Sequence, residues 1–146
     1  MRSLVRRWWP AVLIAACGVW FVVSNVASGH PVAGAVVGIA LAAIAWGLSP
    51  LIFPRDEGWT ESERRARTSG VPLILWKPGC SWCIRMRIAL GRAGGRAVWV
   101  DIERDPEAAA QTRARNDGDE TTPTVIALAG TRTNPSPAWV RDQLPR

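Results

Sequence analysis

Leu73-Ile74-Leu75-Trp76-Lys77-Pro78-Gly79-Cys80-Ser81-Trp82-Cys83 is the stretch on which the reading of this 146-residue chain turns. A β-type apolar run ends at Trp76, a Pro-Gly turn follows, and two cysteines three positions apart open a helical segment. At that spacing both sulfurs lie on one face of the first helical turn. The unpaired backbone N–H groups and the positive dipole end there stabilise a thiolate at the outer cysteine. That is the chemistry of thiol–disulfide exchange. The competing use of the pair, half of a zinc site, requires two further ligands. The other candidates are Cys17, inside a long apolar run, and His30, the sole histidine. Neither is placed to reach the pair, so no metal is expected.

Upstream, no Asp, Glu, Lys or Arg occurs between Trp8 and Phe53. Two apolar stretches, about 8–27 and 32–53, each match the ~20 residues that cross a ~30 Å hydrocarbon core as a helix. Ser28-Gly29-His30-Pro31 joins them in a tight turn, and Trp8, Trp9 and Phe53 stand where interfacial aromatics belong. Residues 1–54 therefore read as a transmembrane hairpin of two α-helices. Arg2, Arg6 and Arg7 precede the first span, and Arg55, Arg64, Arg65 and Arg67 follow the second, while the turn carries no fixed charge. The positive-inside rule puts both termini and the cysteine pair in the cytoplasm, in a multi-pass protein of the cell membrane. A signal peptide is the other reading of the first segment, but no clear small-x-small cleavage site follows it. Gly34, Gly38 and Ala42 share one helix face, suited to packing against the first span or to homodimerisation. Cys17 reads as a packing residue and His30 as a turn residue.

The net charge of +6 is half accounted for by Arg2, Arg6 and Arg7, and it is not a nucleic-acid signature. All 12 acidic residues lie beyond Arg55. Residues 55–70 form a charged linker, with Thr60-Glu61-Ser62-Glu63 offering a capping-box start to a short helix. Arg64, Arg65 and Arg67 could rest on anionic headgroups or stand in solvent.

Residues 71–146 read as a folded unit. Strands are expected at Val71–Trp76, Ala97–Ile102, Thr124–Leu128 and Thr131–Thr133. A helix follows Cys83 as far as Ala93, stopped by Gly94-Gly95. Asp105-Pro106 caps and opens a second helix to about Asn116, and Ser136-Pro137 a third, ending near Leu144. In the second strand Val98, Val100 and Ile102 alternate against Trp99. Trp76, Trp99 and Trp139 supply core area, whereas Trp82, between the cysteines, faces outward to shape a binding surface. The order β-α-β-α-β-β-α is that of a minimal thioredoxin fold, making the chain an α/β protein preceded by two transmembrane helices. Thr122-Pro123 opens the third strand; a proline there cannot donate a ladder bond and can take the cis form at modest cost.

Together these segments resemble the glutaredoxins, and most closely the actinobacterial mycoredoxins, over about Leu73 to Leu144. The likeness rests on Lys77-Pro78-Gly79-Cys80-Ser81-Trp82-Cys83, Val100-Asp101-Ile102-Glu103, Thr122-Pro123-Thr124-Val125 and Thr133-Asn134-Pro135-Ser136. This chain lacks the Gly-Gly and acidic cap with which glutathione-using relatives grip the glutamyl group. All but one of the 18 basic residues are arginine, the imprint of a GC-rich genome, which agrees with a source that uses mycothiol. Ser81-Trp82 stands where relatives usually carry Gly-Tyr or Pro-Tyr, and the hairpin is no part of the soluble family.

The resemblance implies an enzyme that reduces mixed disulfides between proteins and a low-molecular-weight thiol. Mycothiol would enter as co-substrate, and no cofactor would stay bound. Cys80 would be the nucleophile and Cys83 the resolving cysteine. Thr122 and Pro123 would hold the incoming disulfide, and Lys77 and Trp82 would contact the small thiol. Asp101 and Glu103 would assist proton transfer or be solvated strand-end residues. The partners implied are thiolated or disulfide-bonded proteins, some membrane-associated, the small thiol and the lipid bilayer. A dithiol electron carrier for protein disulfides uses the same fold. A homodimer bridging an iron–sulfur cluster is a third use of it.

Overall fold

The computed structural model describes the backbone of residues 2–54 and 56–145, and the side chains of residues 8–47, 49, 51–54 and 56–145. The side chains of Arg2, Arg6 and Arg7, and Arg55 altogether, lie outside the described residues, and with them four of the seven charges on which the topology reading rests. The chain divides into two compact units, Met1–Ile52 and Phe53–Arg146.

The first unit is a pair of helices, α1 (Arg2–Ala27) and α2 (Pro31–Leu48). Within α1, Trp8–Ala27 has a mean hydropathy of 1.9 over a 20-residue stretch and is long and apolar enough to cross a membrane. The second span departs from expectation: α2 stops at Leu48 and does not run on to Phe53. Pro50 disfavours helical geometry at the residue before it, and Ser49 is extended, with φ −71° and ψ 139°. A single 3₁₀ turn, Pro50–Ile52, follows. At 1.5 Å per residue, α2 covers about 27 Å, short of a ~30 Å core. Among the described residues, one helix meets the requirement, not two.

The small-residue face of α2 is used inside the hairpin. A Cβ added at Gly38 would collide with Cγ2 of Val22, and one at Gly34 would come within 3.0 Å of Cβ of Asn25. Glycine is needed there for the backbones to approach, so that face is not free for a second copy of the chain.

In the second unit, β1 (Leu73–Trp76) is central in a four-stranded sheet. It pairs in parallel with β2 (Val98–Asp101) and antiparallel with β3 (Thr124–Ala127), which pairs in turn with β4 (Gly130–Thr133). All four β1 residues are buried, as a strand covered on both faces requires. Leu73 and Leu75 join Val98, Val100 and Ile102 on one face, under Trp59, Ala66, Ala108 and Ala109. Ile74 and Trp76 join Trp99 and Val125 on the other, with Cys83, Met86, Leu90 and Val140. The alternation expected in β2 is present, but both of its faces are buried. Trp76 and Trp99 are core residues; Trp139 is only partly buried, beneath the Arg132 guanidinium.

Four helices complete the unit: α3 (Trp59–Ser69), α4 (Ser81–Leu90), α5 (Pro106–Arg115) and α6 (Pro137–Asp142). α4 ends earlier than the sequence suggests. Gly91, with φ 54° and ψ −132°, stops it, a conformation open to glycine. Residues Gly91–Arg96 continue as a 3₁₀ turn, and its Gly94 carbonyl accepts the buried indole N–H of Trp99 at 2.8 Å.

The charged linker is where the structure departs furthest from the sequence reading, because residues 53–70 belong to the folded unit. Phe53 is no interfacial aromatic: its ring stacks on Trp76 at 3.7 Å and meets Trp99 edge-on. Asp56 accepts the backbone N–H of Asp101, on β2, at 3.1 Å. α3 buries Trp59, Ser62 and Ala66, which its helical spacing brings to one face. Thr60 is not its cap. The helix begins one residue earlier with Gly58 at the N-cap position, and the Trp59 N–H is taken by Oδ2 of Asp105 at 2.6 Å. Arg64, Arg65 and Arg67 are exposed and pair with Glu61, Glu57 and Glu63.

Asp105 thus serves two helices, since its Oδ1 also accepts from Glu107 and Ala108 at the start of α5. Burial raises its pKa, but the three backbone N–H groups outweigh that and hold the carboxyl below the usual aspartate range. A carboxylate whose folded pKa is lowered contributes stability above its unfolded pKa and loses it as pH falls through the folded one. Asp105→Ala is expected to cost about 1–2 kcal/mol at neutral pH, the range of a lost N-cap. Denaturant titrations should show this gap closing as the pH drops below the aspartate range; a gap independent of pH would sink the assignment.

Candidate active site

The end of β1 delivers the chain to the site. After Trp76, Pro78-Gly79 reverses direction, with Gly79 at φ 76°, a left-handed conformation that favours glycine. The Cys80 N–H closes the turn on the Lys77 carbonyl at 3.3 Å. Cys80 is then the N-cap of α4, and the backbone N–H of Cys83 donates to its Sγ at 3.1 Å. The sulfur therefore takes the place of the oxygen that usually caps a helix, facing the unpaired donors and the positive dipole end.

The two cysteines are joined as a disulfide, with Cα atoms 5.2 Å apart. Their environments differ. Cys83 is fully buried in the core cluster, whereas Cys80 is half-buried at its edge. An incoming group can reach Cys80 and not Cys83.

The Thr122–Pro123 peptide is cis, and the Thr122 carbonyl oxygen lies 3.3 Å from Sγ of Cys80. Forty-two positions apart in sequence, the two motifs meet because β3 lies beside β1. Thr122 and Pro123 are buried, and among the described residues the Thr122 hydroxyl has no hydrogen-bond partner.

The remaining expected residues are placed less centrally. Trp82 is 56% exposed in the first turn of α4, with the Arg85 guanidinium 4.9 Å from its ring centre. The Lys77 ammonium donates to the Glu120 carbonyl at 3.1 Å, so it holds the loop before Thr122 and is not a free turn residue. Asp101 is not a solvated strand end. It is fully buried, and its Oδ1 accepts the Glu103 N–H at 3.0 Å.

Asn116, the residue at which α5 ends, is a positioning residue. Its amide donates to the Thr112 carbonyl at 2.8 Å and to the Thr124 hydroxyl at 2.9 Å, and its Oδ1 accepts from Thr133. It ties the end of α5 to the starts of β3 and the end of β4. The Asn134 N–H adds a bond to the Pro123 carbonyl at 2.8 Å. An asparagine closing a helix is a weak signal by itself; three strands and helices must be in place before it has partners.

In the reduced full-length protein, iodoacetamide should modify Cys80 at least about tenfold faster than Cys83, because thiolate character and access both favour it. Peptide mapping by mass spectrometry reads this directly, and equal labelling would contradict the site as drawn.

Residues 73–129, from the first residue of β1 to just past β3, match the family model of the glutaredoxins. No curated protein matches the chain. The matched stretch contains both cysteines and the cis-proline, and the sheet and its helices are those of a glutaredoxin-like thioredoxin fold. With its accessible Cys80 and sequestered Cys83, the protein is a thiol–disulfide oxidoreductase.

Proposed function

We propose that this protein is a membrane-anchored reductase of mixed disulfides between proteins and a low-molecular-weight thiol, with mycothiol as that thiol. The observation that carries the proposal is the asymmetry of the pair. Cys80 is half-buried and faced by the Cys83 N–H at 3.1 Å, while Cys83 is wholly enclosed. The Cys80 thiolate attacks the small-thiol sulfur of the mixed disulfide. The bond between that sulfur and the client's cysteine sulfur breaks, the client leaves as a thiolate that takes up a proton, and Cys80 carries the small thiol in a new disulfide. A second thiol molecule, as thiolate, attacks that sulfur, and the symmetrical small-molecule disulfide departs as Cys80 is regenerated. Thr122 and Pro123 sit where the incoming disulfide would align. Mycothiol is favoured by the arginine-rich composition and by the missing acidic cap for a glutamyl group.

One observation favours a second reading. The two cysteines already stand bridged, as in a dithiol carrier that would pass two electrons to a protein disulfide and leave with its own pair oxidised. The variants separate the two. In the full-length protein in zwitterionic detergent, Cys83→Ser is expected to retain single-turnover reduction of a mycothiol–protein mixed disulfide, and Cys80→Ser to abolish it. Loss of activity in Cys83→Ser, with wild type still reducing protein disulfides, would move the assignment to the dithiol carrier.

Anchoring is supported by the apolar length of α1 and by its exposure, since only 11% of that window is buried. A core helix of a soluble protein would be covered. Val32, Ile39 and Trp46 carry the same apolar, exposed character along α2. With basic residues before α1 and after α2, we place both termini in the cytoplasm, where a small-thiol pool is reducing. A green fluorescent protein fused to the C-terminus should then fluoresce at the membrane. A dark fusion, together with an active periplasmic phosphatase fusion, would mean that α1 alone crosses and the redox unit faces outward.

A further inference from the structure

Most arginines of the redox unit have partners. Arg64, Arg65, Arg67 and Arg113 pair with carboxylates, and Arg96, Arg115 and Arg141 donate to backbone carbonyls. Arg85 is different. It stands on the helix that starts at Cys80, about 7.5 Å further along the axis at 1.5 Å per residue. Its guanidinium lies over the exposed Trp82 ring, and among the described residues no carboxylate pairs with it. α4 itself contains no acidic residue. Across the cysteines, Glu120 in the loop before Thr122 is engaged elsewhere, its carboxylate on Arg113 and its carbonyl on Lys77.

A guanidinium stacked on an aromatic ring is restrained by its face, while its N–H donors lie in its own plane and stay open. Such a group is set to take a carboxylate in a two-pronged pair at little further cost in side-chain freedom. Trp82 and Ile88, both exposed on the same helix, extend this patch with apolar surface. We infer that Arg85, held on Trp82, is a specificity-determining residue that binds a carboxylate carried by the substrate beside its disulfide. The substrate rests on the mixed-disulfide reading above, and the site on the stacking of Arg85 over Trp82. Mycothiol carries no carboxylate, so with that thiol the group belongs to the client chain; a carboxylate on a different small thiol is the other source, and the test separates the two.

The test uses the full-length protein and peptides with Glu, Gln or Lys two positions from the target cysteine. Each is capped as a mixed disulfide with either mercaptoethanol, which is neutral, or thioglycolate, which bears a carboxylate. Wild type is expected to favour carboxylate-bearing over neutral substrates about three- to tenfold in kcat/KM, chiefly through KM, the scale of an exposed ion pair. The preference should shrink with added salt, disappear in Arg85→Gln, and persist only in part in Arg85→Lys, which keeps the charge without the fork. A preference that follows the peptide assigns the carboxylate to the client, and one that follows the cap assigns it to the small thiol. The same substrate ratio in wild type and Arg85→Gln would overturn the inference. If wild type turns over no mixed disulfide, the functional reading fails, and binding decides on Arg85. The Cys80→Ser protein should then hold a fluorescent Glu peptide, serine in place of its cysteine, more tightly than the Lys peptide. Loss of that difference on adding Arg85→Gln supports the site, and no difference to begin with rejects it.

Discussion

A four-residue central strand, Leu73–Trp76, hidden on both faces, is the constraint from which the redox unit follows. Such a strand needs apolar cover above and below, and the stretch that matches the glutaredoxin profile supplies only part of it. One face is closed by α5 and by α3, the other by α4, α6 and the Phe53 ring on Trp76. Residues that look like a charged tether are therefore structural. The segment 53–70 covers the first face with Trp59 and Ala66, meets β2 through Asp56, and borrows its helix cap from Asp105. A core this small has little to spare, so a segment that supplies two aromatic rings weighs heavily in it.

The position of the cysteines follows from the same strand. β1 ends in the core, the Pro-Gly turn lifts the chain to the sheet edge, and α4 begins with a sulfur where an oxygen cap would normally sit. One backbone donor then faces the accessible sulfur, while burial silences the other. The cis-proline turn closes the arrangement from β3. That turn is held by Asn116 and Asn134, whose bonds link α5, β3 and β4. The accessible sulfur and its neighbour across the cleft are thus positioned by rigid elements, as precise placement of reacting groups requires.

Charge on this unit is arranged in two ways. Along α3 the arginines are matched by glutamates three, four or eight positions away, which makes the helix a solvated outer surface of modest energetic worth. Beside the disulfide the pattern changes, for Arg85 rests on an aromatic ring with no acidic neighbour on its helix. The contrast separates structural ion pairs from a cation that, in the reading proposed above, meets the substrate.

Sequence by itself determined the chemistry and the class of fold. The spacing of Cys80 and Cys83 after an apolar run and a Pro-Gly turn, the Thr122-Pro123 step before a strand, and the Asp105 and Ser136 caps are local signals, each decided within a few residues. The small-residue face of α2 and the apolar length of α1 were legible for the same reason. What only the tertiary structure decided are partnerships between distant residues. Phe53 reads as a membrane-interface aromatic until Trp76 lies beneath it, and Thr60 reads as a cap until the helix starts ahead of it, with the Trp59 N–H taken by Asp105, 46 positions away. Lys77, Asp101 and Asn116 look solvated until the sheet brings their partners alongside. Hydrogen bonds and stacking act over a few ångströms, so such choices exist only once the chain has closed on itself.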